Sequence, residues 1–291
     1  MLFPKILMHS IDWKNKMKNA ISLCKTNITP LPSSKMVLIW QQEAILVQTE
    51  SGLRIPVYSQ IKSLFDNETN FFAIGTQMDE PFYILPLEGV KKPELNSDNL
   101  CYIQNHNFRT LPTLEALIFS TAHHAQTWYL SHIYCGKCAT KFNKLEAEHG
   151  LRCPNCSQLS FPTISPAIIV AITDGDYLLV AQNVTSSIRF YSLIAGYVEM
   201  GETLEQAVYR EALEEVGLEL SDITYLNNQP WGISGSLMLA FCAKADRTKP
   251  LLLQKDEIKS AKWVHRNELT EHPYPTSIAA QLMERFRKRE F

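Results

Sequence analysis

Apolar positions along this chain fall mostly into short alternating runs, broken by three stretches with helical spacing. The runs Met36–Trp40, Ala44–Thr49, Phe71–Ile74 and Phe82–Leu85 predict strands separated by polar turns. Leu114, Leu117, Ile118 and Ala122, followed by Trp128, recur at helical spacing and predict a helix from about Leu114 to Leu130. From Pro162 onward, alternation predicts strands at Ala167–Thr173 and Tyr177–Gln182, joined by a hairpin turn at Asp174-Gly175-Asp176. Further strands are expected at Tyr191–Ile194, Ile223–Leu226, Leu237–Ala245 and Ala261–Val264. Between them lies a helix, Leu204–Val216. A last helix, Ser277–Lys288, begins just after Pro273 and Pro275 and keeps Ile278, Leu282 and Phe286 on one side. There are no internal repeats.

At 291 residues the chain is too long for one small domain. Its apolar content of 45% supplies a core without disulfide staples. A formal charge of −2 gives no support for nucleic-acid binding driven by bulk charge. Lys5, His9 and Asp12 break the apolar run of the N-terminal segment Met1–Lys16, which therefore does not read as a secretion signal. No run has the apolar length a membrane span needs, so a cytoplasmic protein without membrane contact is expected. Residues 1 to about 130 show no catalytic constellation. His123 and His124 are adjacent and so face different sides of their helix, as satisfied or exposed histidines do.

Four of the seven cysteines form two CxxC pairs, Cys135/Cys138 and Cys153/Cys156, with 14 residues between the pairs. Two thiolates in each tight turn can face one cation, and two such turns complete a tetrahedral four-sulfur site suited to zinc. With no open position, that zinc is expected to be structural, one per chain. His149 lies in the intervening loop but is not needed. Cys24, Cys101 and Cys242 are left over and read as inert thiols.

The helix at Leu204–Val216 carries the chemistry. Thr203 and Gln206 are spaced for a capping box, and Gly217 fits the left-handed residue that ends a helix. At 100° per residue, Leu204, Ala207 and Val208 share a face with Glu211, Glu214 and Glu215, while Ala212, Leu213 and Val216 cover the opposite side. Carboxylates at i, i+3 and i+4 repel one another and sit where the helix dipole disfavours negative charge, at about 0.3–1 kcal/mol for each effect. A divalent cation removes that penalty, and oxygen ligands suit Mg²⁺ or Mn²⁺.

The whole string resembles the Nudix box: Gly196, five residues, Glu202, seven residues, then Arg210-Glu211-x-x-Glu214-Glu215-x-Gly217-Leu218. Ala212 stands where a larger aliphatic residue is usual. With the four-cysteine unit ahead of it, the chain resembles the bacterial NADH pyrophosphatase (NudC-type) branch of the Nudix hydrolases, over about Leu111 to Phe291. The resemblance implies an α+β protein whose Nudix fold is an α/β/α sandwich with a mixed sheet. That fold would occupy residues 162–291, after a zinc ribbon at 131–161 and an N-terminal mixed α/β domain at 1–130. A second signature of that branch, Ser-Gln-Pro-Trp-Pro-Phe-Pro-x-Ser, corresponds to Asn228–Ser236. Gln229, Pro230, Trp231 and Ser236 match, but the centre reads Gly232-Ile233-Ser234.

The resemblance also implies roles. Glu211, Glu214, Glu215 and Glu257 would hold the catalytic Mg²⁺ or Mn²⁺, with Glu215 taking a proton from water and Glu257 as second candidate. Arg210 would pair with Glu214 or Glu202, and Gly196 would let the backbone enter at a tight turn. Tyr197, where the family often has Phe, would stack on nicotinamide. Ala195 and Ala279 would line the nucleotide pocket, Gln229, Pro230, Trp231 and Ser236 would recognise the NAD(H) end, and Phe161 would lie near the substrate. The implied activity is hydrolysis of the NAD(H) diphosphate bond to nicotinamide mononucleotide and AMP, with removal of NAD caps from RNA, by a homodimer. The altered Gly-Ile-Ser centre keeps another nucleoside diphosphate derivative, such as ADP-ribose, open as substrate. A non-catalytic Nudix-derived binding or regulatory protein would be signalled by a damaged box, and every ligand carboxylate is present here.

Overall fold

The computed structural model describes residues 21–23, 29–40, 42–66, 71–77, 80–85, 91–142, 150–184 and 190–291. Met1–Lys16, Cys24 and His149 lie outside them. The chain divides into two compact units, Met1–Pro162 and Thr163–Phe291. Among the described residues, no helix is long and apolar enough to cross a membrane.

The first unit holds two small sheets. One orders β1 (Ile21–Leu23), β6 (Phe72–Gln77), β7 (Glu80–Ile84) and β2 (Lys35–Val37). The other joins β3 (Ile39–Trp40), β4 (Glu43–Thr49), β5 (Gly52–Arg54) and β8 (Leu100–Gln104). Met36, Leu38, Ile45, Ala73 and Tyr83 form their common core. Helix α1 (Thr113–Ser131) is anchored by Glu115, which accepts from Lys35 Nζ and from the Ile55 backbone N–H, both at 2.7 Å. A two-stranded ribbon, β9 (Leu151–Arg152) with β10 (Leu159–Ser160), completes the unit. The expected strand at Met36–Trp40 is two strands, and that at Phe71–Ile74 runs on to Gln77.

The second unit is one mixed sheet between two helices. Its central strand is β11 (Ser165–Asp174). Parallel β15 (Ser236–Lys244) lies along one edge, with antiparallel β14 (Ser221–Trp231) beyond it. Along its other edge run β13 (Ile194–Tyr197) and then β12 (Tyr177–Asn183), which pairs with β16 (Ile258–His265). Strand alternation sorts the core. Ile168, Val170 and Ile172 face helix α2 (Leu204–Val216) through Ala207, Val208, Ala212 and Val216. Ile169 and Ala171 face helix α3 (Ile278–Arg287) through Ile278, Ala279, Leu282, Met283 and Phe286. Arg266, buried, ties the β11–β12 hairpin to α3 by donating to Asp176 Oδ1 at 2.6 Å and to the Phe286 carbonyl at 2.5 Å.

Four expectations need correction. The strand expected at Tyr191–Ile194 begins at Ile194, where pairing to β11 starts; before it only Ser192 bridges to Ala181. The strand expected at Ile223–Leu226 extends to Trp231, because β14 is an edge strand and tolerates Pro230. The strand expected at Ala261–Val264 starts three residues earlier, at Ile258, and ends at His265. On α2, Ala212 and Val216 lie buried on the core side and Leu213 is exposed, so the apolar stripe is wider and differently aimed than the wheel suggested.

Candidate active site

Helix α2 is set by its ends. Thr203 Oγ1 accepts from the Gln206 N–H at 3.3 Å, and Gln206 Oε1 accepts from the Thr203 N–H at 2.8 Å, closing the capping box. Gly217 ends the helix at φ +71°, and a Cβ there would stand 2.6 Å from Leu252 Cβ. Backbone N–H groups of Leu252 and Gln254 cap the carbonyls of Val216 and Glu215. The same segment thus brings Gln254 and Glu257 beside the carboxylate end of the helix.

Gly196 does not make a tight turn. It lies within β13, paired with Ile168, and its bare Cα faces Glu211. A Cβ there would fall 1.9 Å from Glu211 Oε1 and 2.1 Å from its Cδ. Glu211 is therefore packed flat against the strand, 8% exposed. Arg210 holds the rest. It donates to Glu202 Oε1 at 2.6 Å, Glu202 Oε2 at 3.0 Å, Glu211 Oε1 at 2.9 Å, Glu214 Oε2 at 3.0 Å and the Tyr197 carbonyl at 3.0 Å. Glu202 in turn accepts from the Glu199 N–H at 2.9 Å, which fixes the loop between β13 and α2. The guanidinium bonds hold the Glu202 carboxyl below the usual carboxylate range.

Glu215 is different. It is 3% exposed, and among the described residues its carboxylate has no hydrogen-bond or ion-pair partner. Burial, then the charges of Glu211, Glu257 and Glu214, push its pKa up to about 8. Burial also raises Glu211, against the pull of Arg210. A buried acid beside three other acids, with one arginine taken up by its neighbours, fits a divalent cation held by oxygen. Among the described residues, the four cysteines are the only metal-ligating set whose donor atoms all lie within 4.8 Å of one another.

A pocket of about 530 Å³ opens at this end of the second unit. Glu211, Glu214 and Glu257 line it, with Ala195, Tyr197, Trp231 and Ser236. The sheet register explains the grouping. Ala167 pairs with both Tyr197 and Met238, while Trp231 pairs with Ser236. Ala167, Glu199, Ser234, Met238 and Gln254 also line the pocket; sequence reasoning left them out, and only the register of three strands could have nominated Ala167 and Met238.

Four expected substrate contacts are not in that lining. Gln229 uses its whole amide as a strut to the start of α3, donating to the Thr276 carbonyl at 2.8 Å and accepting from the Ile278 N–H at 2.7 Å. Pro230 sits in the edge strand. Ala279 is buried in the core under α3, 6% exposed. Phe161 belongs to the first unit, where its ring covers Gly150; a Cβ on that glycine would lie 2.7 Å from the ring.

The cysteine unit is built from two matching turns. Ala139 and Ser157, each just after a second cysteine, have φ of +57° and +59°. Their N–H groups donate to the carbonyls of Cys135 and Cys153 at 2.8 and 3.0 Å. Contacts with Thr140 hold the Cys138 thiol down, to about 5. Four sulfurs so converged fit a structural zinc ion. Cys101 and Cys242 stand apart as free thiols, each raised by burial.

Comparison with known proteins agrees with this geometry. Residues 163–286 match the family model described as the NUDIX domain, and residues 130–161 match the NADH pyrophosphatase zinc ribbon domain. Proteins named NAD-capped RNA hydrolase NudC, from Salmonella paratyphi C and from Shigella flexneri, are 38% identical over 157 residues, 54% of this chain. The chain spans 61% of the length of these curated relatives. Among solved structures, a NUDIX hydrolase from Nitrosomonas europaea is 17% identical with a TM-score of 0.45, covering 54% of this chain and 92% of its own. A MutT NUDIX hydrolase from Burkholderia pseudomallei is 21% identical with a TM-score of 0.35, covering 42% and 95%. The chain carries a Nudix domain preceded by a zinc ribbon of the NADH pyrophosphatase type.

Proposed function

We propose that this protein hydrolyses the diphosphate bond of NAD(H), giving nicotinamide mononucleotide and AMP, and removes NAD caps from RNA. One observation carries the reading: a single pocket lined at once by Tyr197 and Trp231 and by Glu211, Glu214 and Glu257. An aromatic ring joined to a diphosphate needs both kinds of surface. The zinc-ribbon match and the relatives' name support the same substrate.

Glu211, Glu214, Glu215 and Glu257 would hold Mg²⁺ or Mn²⁺, which supplies charge neutralisation at the phosphate oxygens. Arg210 positions Glu211 and Glu214 and ties them to the loop through Glu202. Tyr197 and Trp231 offer faces to the nicotinamide ring, with Ala195 and Ser236 beside them. Glu215, buried, accepts the proton of the attacking water at its carboxylate; Glu257, exposed in the lining, is the second candidate. We place a cytoplasmic homodimer behind this activity. The division is an N-terminal domain at 1–130, a zinc ribbon at 131–161 and the hydrolase domain at 162–291.

The test is product analysis after incubation of NADH with Mg²⁺ or Mn²⁺, with a chelator control. Nicotinamide mononucleotide and AMP in equal amounts, lost with the chelator, support the proposal. Intact NADH under both metals would overturn it.

A further inference from the structure

The segment after the catalytic helix serves two clefts at once. Leu252 and Gln254 are locked to the end of α2, their N–H groups donating to the Val216 and Glu215 carbonyls at 2.9 and 3.1 Å. The chain then turns, and the N–H groups of Glu257 and Ile258 donate to the Gln254 carbonyl at 3.1 and 2.7 Å. Gln254 and Glu257 line the catalytic pocket. Lys255, Ile258 and Lys259 line a second cleft of about 970 Å³, and Glu214 and Gln254 belong to both. The two spaces therefore meet at the carboxylate side of the catalytic pocket, away from Tyr197 and Trp231.

The second cleft differs in character from the first. Part of its wall is apolar and open: Leu213 and Val184 are exposed, and Leu252 is 66% exposed. Large apolar side chains grouped at a surface mark a contact site. Lys255 and Lys259 are exposed, and among the described residues neither has an ion-pair partner. Glu214, the acid the cleft shares, accepts from Arg210 at 3.0 Å, so positive charge prevails. A third cleft meets the catalytic pocket at Arg210 and has the opposite sign. Glu202 and Glu205 line it, and Arg210 is already committed to Glu202, Glu211 and Glu214.

The chemistry of a capped RNA chooses between these exits. The adenosine of its NAD is the first nucleotide, and the 3′ oxygen of that adenosine carries the next phosphate. With the nicotinamide at Tyr197 and Trp231 and the diphosphate at the acids, the adenosine leaves past Glu214 and Gln254, and the phosphates follow it. Glu199, Glu211, Glu214 and Glu257 in the catalytic pocket oppose an anionic chain, as do Glu202 and Glu205 in the third cleft. Lys255 and Lys259 attract it. Leu213 and Leu252 offer the base an apolar surface. Free NADH ends at its adenosine and brings no further phosphate to the lysines.

We infer that the cleft at the end of α2 is an RNA-binding subsite, in which Lys255 and Lys259 hold the first internucleotide phosphates beyond the NAD cap. The inference rests on the NAD(H) reading above. The two lysines separate capped RNA from the free dinucleotide and take no part in the cleavage of NADH.

The experiment measures kcat/KM for NADH and for a short single-stranded RNA with a 5′ NAD cap, with the divalent cation present and over a range of salt concentrations. The proteins are the full chain, the double variant Lys255→Ala with Lys259→Ala, and the double variant Lys255→Glu with Lys259→Glu. The alanine pair should keep NADH within about twofold and lower kcat/KM for the capped RNA about tenfold. The glutamate pair should lower the capped RNA further. The slope of log kcat/KM against log salt for the RNA should become shallower by about 0.7 for each lysine removed, which a merely structural role would not produce. Equal losses on both substrates, an RNA rate and slope unchanged in the alanine pair, or NADH cleaved without capped RNA by the full chain would overturn the inference and leave the NAD(H) reading standing. A full chain that cleaves neither substrate would remove the NAD(H) reading, and this inference with it.

Discussion

Glu211 rests on the bare Cα of Gly196: its carboxylate occupies the space where any side chain on that strand would begin. The contact couples β13 to α2 at the point where the acids gather, so the strand residue decides where the first carboxylate sits. Gly196→Ala would place a Cβ 1.9 Å from Oε1, and Glu211 must move to relieve it. We expect kcat to fall by about 100-fold, because a displacement near 1 Å at a reacting group has that effect. Thermal unfolding and steady-state kinetics of the variant check this; wild-type kcat would contradict it.

Arg210 makes five donations, to three carboxylates and one carbonyl. A lysine cannot reproduce that planar fork. Arg210→Lys should weaken divalent-cation activation and lower kcat by about tenfold or more, as loss of a ligand-orienting partner does. Titration of activity with Mn²⁺ reads both effects.

How much of this was legible in the sequence depends on how local each signal is. The capping box at Thr203 and Gln206, the left-handed Gly217 and the two CxxC turns are fixed by a few neighbouring residues, and all stand where the sequence put them. Arg210 was expected on Glu202 or Glu214 and reaches both, together with Glu211. What the sequence could not place was non-local. The role of Gly196 depends on which helix residue faces a strand. The strut made by Gln229 depends on α3 lying beside the end of β14, some 50 residues later. Ala279, a pocket position by resemblance, lies in the core under α3, a placement set by packing between elements far apart in the chain. Ser234 lay in a stretch noticed only as a departure; its hydroxyl meets Ser236 at the start of β15, and only the folded sheet brings Tyr197 of β13 to within 3.3 Å of that serine.

Glu215 should make the cation-free protein sensitive to pH. Its folded pKa of about 8 lies above an unfolded value near 4.3, so the folded state binds the proton more tightly. The stability it contributes is fully present below about pH 4.3 and is lost as pH rises through about 8. The thermal midpoint in chelator should fall across that window, and Glu215→Gln should flatten the fall. A midpoint that rises over the same window in wild type but not in the variant would contradict this.

The zinc ribbon should behave separately from the carboxylate site. We expect about one zinc per chain, retained at chelator concentrations that abolish activity through the weaker oxygen-ligated cation. Cys153→Ser should lose the zinc and expose residues 130–161 to proteolysis. Elemental analysis with limited digestion checks both points, and zinc retained in full by the variant would refute the four-sulfur assignment.

Cleavage of NADH, NAD-capped RNA and ADP-ribose, measured side by side with the divalent cation present and Glu215→Gln as control, separates the NAD(H) diphosphatase from its alternatives. NADH or the capped RNA should be cleaved well ahead of ADP-ribose, and the variant should lose at least about 100-fold in rate. ADP-ribose as the preferred substrate, or a fully active Glu215→Gln, would contradict it.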